Sequence, residues 1–391
     1  MTLEVDRDAP ERAARRSGSW PSLARGLDRV PSRTGVVVGS ALGIWLLTRL
    51  SVLAVSTVGV YGAAAPTPVS FARRWWEWDV LHYERIARYG YSQPNEEAFF
   101  PGLPLALRAV HALGISWVDS GLLVSFVAGA VGVVFLALLA ERRGPRGVGE
   151  RAALVLTLSP AAVFLFAGYT EALFLALALP AWYAAQRGRW VAAGGLAALA
   201  CGVRISGAFL AAALVVEFLT RPQGRRWRQF PALAVPAVVL GTYAAYLHGR
   251  TGDWLAWLHA QEVGWHRQLT NPVTAFSTTW DAAFGSSQAA QFRINFRLEL
   301  VAMAVGIVLS VALLWWRRWG EATFVGLSVL ALATSTWYLS VPRASLLWWP
   351  LWIGIASRTM RSRWWLAGYL TLVAPLSAAW VVLFATGRWA G

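Results

Sequence analysis

An aspartate, a histidine and a tyrosine stand at positions 79, 82 and 83 in the run Trp78-Asp79-Val80-Leu81-His82-Tyr83-Glu84-Arg85-Ile86-Ala87-Arg88-Tyr89-Gly90-Tyr91, just beyond the first long apolar segment. If this run is helical from Asp79, spacings of three, four and seven put Asp79, His82, Tyr83 and Ile86 on one stripe and turn Glu84, Arg85 and Arg88 elsewhere. An acid is then held beside a hydrogen-bonding partner, an arrangement suited to proton transfer. The plainer reading of the same residues is an Asp79 that caps a loop helix and a His82 that is a structural hydrogen-bonder.

The elements that must position this stripe are membrane helices. Of 391 residues, 57% are apolar and 14% charged, and apolar blocks recur along most of the chain, leaving no stretch for a sizeable soluble domain. The formal net charge of +15 comes from arginine alone, since the sequence contains no lysine. In a polytopic chain such a balance marks loops held against anionic lipid, and it is a poor sign of nucleic-acid binding. Cys201 is the single cysteine and sits in an apolar run, which excludes a disulfide framework and a cysteine-based metal site. Residues 1–34 mix arginine with Asp, Glu, Pro and Ser and read as a disordered cytoplasmic tail. The apolar run from Gly35 to Tyr61 reads as a retained first span rather than a cleaved signal, because it is long and contains Arg49.

Arginine clusters at 142–151, 187–189, 221–228, 317–318 and 358–363 fall on alternate connections and are expected on the cytoplasmic side with the tail. The external connections are then roughly 62–119, short ones near Tyr169, Arg204 and Arg343, and a long one at roughly 249–297. This needs about eleven spans, several of them short for a hydrocarbon core of ~30 Å; the pair 152–166 and 172–186 could instead form a re-entrant hairpin. No internal repeat is visible. The external side collects Asp79, His82, Tyr83, Tyr169, Glu171, Arg204, Asp253, Gln261, Trp265, Arg267 and Arg343. An ionisable group at membrane depth costs at least about 2.5–3.5 kcal/mol, so Glu171 and Arg204 are expected to face a partner or a polar cavity, or to neutralise each other inside the bundle. Asp253 and Gln261 also fit ordinary loop positions. The pairs Trp315-Trp316, Trp348-Trp349 and Trp364-Trp365 read as interfacial anchors.

Trp78-Asp79-x-x-His82-Tyr83-x-x-Ile86-Ala87-x-x-Gly90-Tyr91, then Phe99-Phe100-Pro101-x-x-Pro104, then Ser159-Pro160 leading to Tyr169-Thr170-Glu171-Ala172-Leu173-Phe174, then Arg204-x-x-Gly207, together resemble the phosphatidylinositol-glycan class V type of mannosyltransferase. The resemblance spans roughly residues 36–360 and takes in the bacterial relatives of that type, within the GT-C superfamily. It implies an all-α polytopic membrane protein of the GT-C type, a lipid-phosphate-linked sugar as donor, work on the membrane face away from the cytosol, and an essential acid on the first external loop, where the arginine count independently puts Asp79.

The residue types fit such a reaction. In an inverting transfer a carboxylate at the acceptor hydroxyl accepts its proton, which makes Asp79 the candidate base, with His82 orienting it or contacting phosphate. Guanidinium suits the departing phosphate, and Arg204, Arg343 and Arg49 are the candidates. Trp78, Tyr83, Tyr169, Glu171, Asp253, Gln261 and Trp265 are the candidate substrate contacts, and Trp75, Trp76, Trp254 and Trp257 offer further flat faces for sugar rings or the lipid boundary. No Gly-rich nucleotide loop is present, no Asp-x-Asp motif stands beyond the first 34 residues, no cofactor is called for, and Asp79 and Glu171 are weak grounds for a divalent metal. The expected partners are a polyprenyl-phosphate-mannose donor, a lipoglycan, glycolipid or protein acceptor, and membrane lipid, at the outer face of the cytoplasmic membrane. The arginine-, alanine- and tryptophan-rich usage looks like a high-GC bacterium, where a GPI anchor is not the expected acceptor. Two other classes stay open: a flippase or transporter of lipid-linked sugar, and a non-catalytic assembly subunit.

Overall fold

Sixteen α-helices and short 3₁₀ turns make up a computed structural model that describes residues 31–62, 70–221, 223–286 and 288–388. The helices are α1 (Pro31–Gly62), α2 (Asp79–Tyr89), α3 (Gly102–His111), α4 (Trp117–Glu141), α5 (Val148–Thr157), α6 (Thr170–Gln186), α7 (Trp190–Cys201) and α8 (Ser206–Thr220). They continue as α9 (Val235–Thr251), α10 (Ala256–Trp265), α11 (Pro272–Phe284), α12 (Ala290–Trp315), α13 (Trp319–Ala333), α14 (Val341–Ser345), α15 (Trp349–Thr359) and α16 (Arg363–Ala385). There is no strand among the described residues, so the chain is the polytopic helical membrane protein that its hydropathy requires. Contacts separate Met1–Val36 from Val37–Gly391, and the bundle and site lie in the second unit. Of the segment expected as a tail over 1–34, all but the last four residues lie outside the described ones; α1 starts at Pro31.

Among the described residues, five segments are long and apolar enough to cross a membrane: Arg33–Gly62, Trp117–Glu141, Trp227–Thr251, Phe292–Trp315 and Arg363–Ala385. Several of the other segments counted as spans in the sequence are shorter apolar helices such as α7, α8 and α13. Local chemistry sets where they stop. Pro160 forces Ser159 into an extended conformation (φ −61°, ψ 153°), ending α5 after ten residues and starting the 3₁₀ turn Pro160–Leu165. Arg49, buried on α1, donates to the carbonyls of Thr157 and Ala162 on the two sides of this break (both 3.0 Å), supplying partners that the interrupted helix lacks. The 249–297 connection, read as a loop, is built from α10 and α11; Asn271 caps α11 by accepting from the Val273 N–H (2.8 Å), with Pro272 in its first turn.

The core is alanine- and glycine-rich where helices meet. α6 packs between α4 and α7, α8 against α13, and α5 between α4 and α15. Gly102 opens α3 directly against the end of α7, its N–H on the Gly202 carbonyl at 2.7 Å, and an added Cβ would stand 2.6 Å from that oxygen. Trp348 and Trp349, expected at an interface, are both fully buried instead, and the Trp349 indole N–H donates to Glu321 (3.1 Å). Trp315, Trp316, Trp364 and Trp365 are exposed, as anchors are.

Candidate active site

The Asp79 stripe forms as its spacing requires. α2 starts at Asp79 and stops at Gly90, whose φ of 72° ends the helix. Trp78, at φ 56°, is the residue that precedes the first turn, and no side chain caps it. The capping reading of Asp79 is therefore replaced: its carboxylate faces sideways and accepts from Arg343 Nη1 through Oδ2 at 2.9 Å. The partner that holds the acid comes from α14, not from His82 one turn away. Oδ1 has no hydrogen-bond partner among the described residues.

Arg343 joins two carboxylates. Its Nε donates to Glu171 Oε1 at 2.8 Å, and the same oxygen accepts from Arg204 Nη1 at 2.7 Å. Arg204 also reaches the Thr170 hydroxyl (3.4 Å), and the Arg343 guanidinium lies 4.9 Å from the Tyr169 ring centroid. Glu171 has no exposed surface and sits in the first turn of α6, where the helix dipole favours a negative charge. Arg343 thus occupies the position between the two carboxylates that a cation would take. α14 is itself held by Glu299, whose two oxygens accept from the backbone N–H groups of Ser340 (2.8 Å) and Val341 (2.7 Å).

These groups open onto a cavity of about 800 Å³. Arg204, Arg267 and Arg343 provide its cations, with Asp79 and Glu77 as its carboxylates. An aromatic wall stands opposite. His82 stacks on Phe99 (4.8 Å, 18°), Trp265 meets Phe99 edge-on (5.2 Å), and Gln261 donates to the Ala98 carbonyl (3.3 Å). The Phe99 carbonyl is pinned by the hydroxyls of Tyr91 (2.7 Å) and Tyr243 (2.8 Å), which fixes the Phe99-Phe100-Pro101 segment as part of the wall. Several polar atoms at this cavity are shut off from solvent and without a partner: His82 Nδ1, Arg204 Nε, Trp257 Nε1, Arg267 Nε, Ser335 Oγ and Trp348 Nε1. Buried polar groups are nearly always hydrogen-bonded, and these six atoms stand around one cavity without such a partner among the described residues.

Burial pulls the His82 imidazole below its ordinary pKa, with Asp79 pulling the other way. Burial, then Asp79, pushes the Tyr83 hydroxyl up, so it stays protonated. Arg267 is brought down to about 10 by burial and by Arg343, and remains a cation at neutral pH.

Of the residues singled out from the sequence, Asp79, His82, Arg204, Arg343, Trp78, Tyr83, Tyr169, Gln261 and Trp265 all line the cavity. Glu171 lies behind it, under Arg204 and Arg343. Arg49 is elsewhere, committed to two backbone carbonyls, because a helix break needs donors as much as a phosphate does. Asp253 is also elsewhere: it accepts from the Leu255 N–H (2.8 Å) and pairs with His259 (2.6 Å) in an exposed turn. Trp75, Trp76 and Trp254 do not reach the cavity, whereas Trp257 does. Trp348 and Ser335 were not among the candidates, and Arg267 was placed on the external side without an assigned role. Arg267 carried one legible sign, its place beside Trp265 in a long polar connection, but its convergence with Asp79 depends on pairing that no local pattern encodes.

Fold and cavity together define a multi-pass helical membrane protein with an acidic and arginine-lined polar site among its helices. Residues 70–221 match the model of the family described as Mannosyltransferase (PIG-V), the family that the motifs of this stretch resemble. GPI alpha-1,6-mannosyltransferase 2 of Mus musculus is 41% identical over 143 residues, which are 33% of this chain and 29% of that protein. The Homo sapiens protein of the same name is 39% identical over 143 residues, with the same shares. GPI mannosyltransferase 2 of Yarrowia lipolytica is 45% identical over 58 residues, 15% of this chain and 16% of its own length. The chain thus spans less than a third of each of these relatives.

Proposed function

We propose that the protein is an inverting glycosyltransferase that moves a mannosyl group from a polyprenyl-phosphate-linked donor to a hydroxyl of a lipoglycan, glycolipid or protein acceptor, on the membrane face away from the cytosol. The observation that carries the reading is the convergence of one carboxylate with a free oxygen, Asp79, and three guanidinium groups on a single cavity beside an aromatic wall. The names of the relatives, which are mannosyltransferases, support the sugar.

The acceptor oxygen attacks the anomeric carbon while its proton passes to Asp79. The bond from that carbon to the phosphate oxygen breaks, and its electron pair leaves on a lipid monophosphate. Asp79 changes from carboxylate to acid as the phosphate gains a negative charge. Protonation removes the charge that holds Arg343 Nη1, so this donor becomes free for the phosphate when the leaving group needs it, while Glu171 keeps the rest of the guanidinium in place. Base and leaving group are coupled through one side chain.

The test is transfer of labelled mannose from polyprenyl-phosphate-mannose in membranes holding the wild type or Asp79→Asn, with total lipid extract as acceptor. Product from the wild type and a loss of about 10²-fold or more in an equally expressed variant is the expected result, the general-base contribution being about 10²–10⁴-fold. Equal product from both would remove Asp79 as base. Transbilayer movement of the donor that survives Asp79→Asn, without transfer by either protein, would favour a transporter.

A further inference from the structure

The three arginines of the cavity are not equivalent. Arg343 has two carboxylate partners and Arg204 has one, whereas Arg267 has no carboxylate within ion-pair distance among the described residues. Its one side-chain hydrogen bond among the described residues runs from Nη2 to the Leu339 carbonyl at 3.2 Å, and its Nε is enclosed without a partner among them. The carboxylates nearest in its field are already engaged: Asp79 holds Arg343, and Glu299 holds the Ser340 and Val341 N–H groups. An enclosed guanidinium nitrogen without a partner is a donor that an anionic ligand would engage.

The side chain is also aimed. On either side of Arg267 the α10–α11 connection is pinned to the α13–α14 connection. The Thr336 hydroxyl donates to the His266 carbonyl (2.7 Å) and accepts from the Gln268 N–H (3.1 Å), while the Thr270 N–H donates to the Thr334 carbonyl (2.7 Å). Leu269 and Ser335 form an isolated antiparallel bridge in the same place. Arg267 is therefore set against the element that carries Arg343.

We infer that Arg267 is the cavity's dedicated phosphate ligand, the charge that matches the phosphate of a lipid-linked substrate. The inference rests on the reading given above and deepens it. Arg204 and Arg343 are held by Asp79 and Glu171, whereas Arg267 has no ion-pair partner among the described residues and is the guanidinium left to meet a phosphate.

The probes are farnesyl phosphate, farnesol and inorganic phosphate, with binding to the full-length protein in detergent followed by ligand-dependent unfolding temperature. For the wild type, farnesyl phosphate should bind more tightly than farnesol or inorganic phosphate. Arg267→Gln should weaken farnesyl phosphate tenfold or more and leave farnesol unchanged, with Arg267→Lys between them. Lys keeps the charge, so it serves as the readout if the Gln variant does not fold. A wild type that prefers farnesyl phosphate while both variants bind it equally well would overturn the role of Arg267 and spare the donor reading. A wild type that does not distinguish farnesyl phosphate from farnesol would overturn the donor reading and Arg267 together. Inorganic phosphate bound as tightly as farnesyl phosphate would overturn the assignment to a lipid-borne phosphate.

Discussion

Glu171 is the residue on which the site turns, although it does not touch the cavity. It accepts from both Arg204 and Arg343 through one oxygen and is fully buried, so Glu171→Gln strips Arg204 of its only carboxylate. Breaking a buried pair from one side costs about 3–5 kcal/mol. The variant should unfold at lower temperature in detergent and show a raised donor KM; an unchanged KM would mean that Glu171 does not position the arginines. His82 allows a second test through pH. Burial holds its folded pKa below the unfolded value of about 6.5. The unfolded chain therefore binds the proton first, and the stability present above about pH 6.5 is lost as pH falls toward the folded value. His82→Gln should flatten the pH dependence of the unfolding temperature between about pH 7 and pH 5, and an unaltered slope would assign that acid sensitivity to other groups. At this scale the sequence was informative where a polar residue stood at the end of an apolar run within a motif, as with Asp79 and Arg204, and at Arg343 through its place on an external connection. It misled at Arg49 and Asp253, which satisfy backbone groups nearby: a guanidinium that serves carbonyls and one that serves phosphate look alike until the chain is folded.

Helix-level order depends on close approaches that only glycine permits. α3 carries the Phe-Phe-Pro wall into place because Gly102 lets its first turn rest on the Gly202 carbonyl, and the obstacle to a larger residue is backbone that cannot rotate away. Gly102→Ala should therefore push α3 off α7 at the usual overpacking cost of about 1–3 kcal/mol. Thermal unfolding and transfer should both decline; a variant with wild-type stability would show that α3 is free to shift without loss. That the chain is a polytopic helical membrane protein was readable from hydropathy, and α2 from its three-to-four spacing. The 3₁₀ segment after Pro160 and the helices α10 and α11 inside a supposed loop were less readable, because a break or a short polar helix owes its stability to packing across the bundle. Trp348 and Trp349 show the same limit: a tryptophan pair suits an interface or a core equally well by composition, and only the neighbours α6 and α13 decide it.

The whole molecule assembles its site from distant parts of the chain. Asp79 and Arg343 are 264 residues apart, and the stretch matched by the family model, 70–221, holds Asp79, Glu171 and Arg204 but neither Arg267 nor Arg343. The motifs therefore announced the acid and its neighbours, while two of the three cavity arginines lay where no motif pointed. What brings the halves together is helix packing across the segment after Arg221: α8 lies against α13, α7 against α9, and α14 against the 3₁₀ turn Pro160–Leu165. Such contacts form between finished helices, whose backbone groups are already satisfied within each segment, so continuity of the chain at that connection is not what holds them. Two separately encoded fragments, 1–221 and 222–391, should each insert and remain inactive alone, and should recover donor binding and transfer when expressed together. Co-purification of the fragments with restored farnesyl phosphate binding would support a site made jointly by the two halves. Binding of farnesyl phosphate by the first fragment alone would show instead that Arg204 suffices, and would place the phosphate away from Arg267 and Arg343.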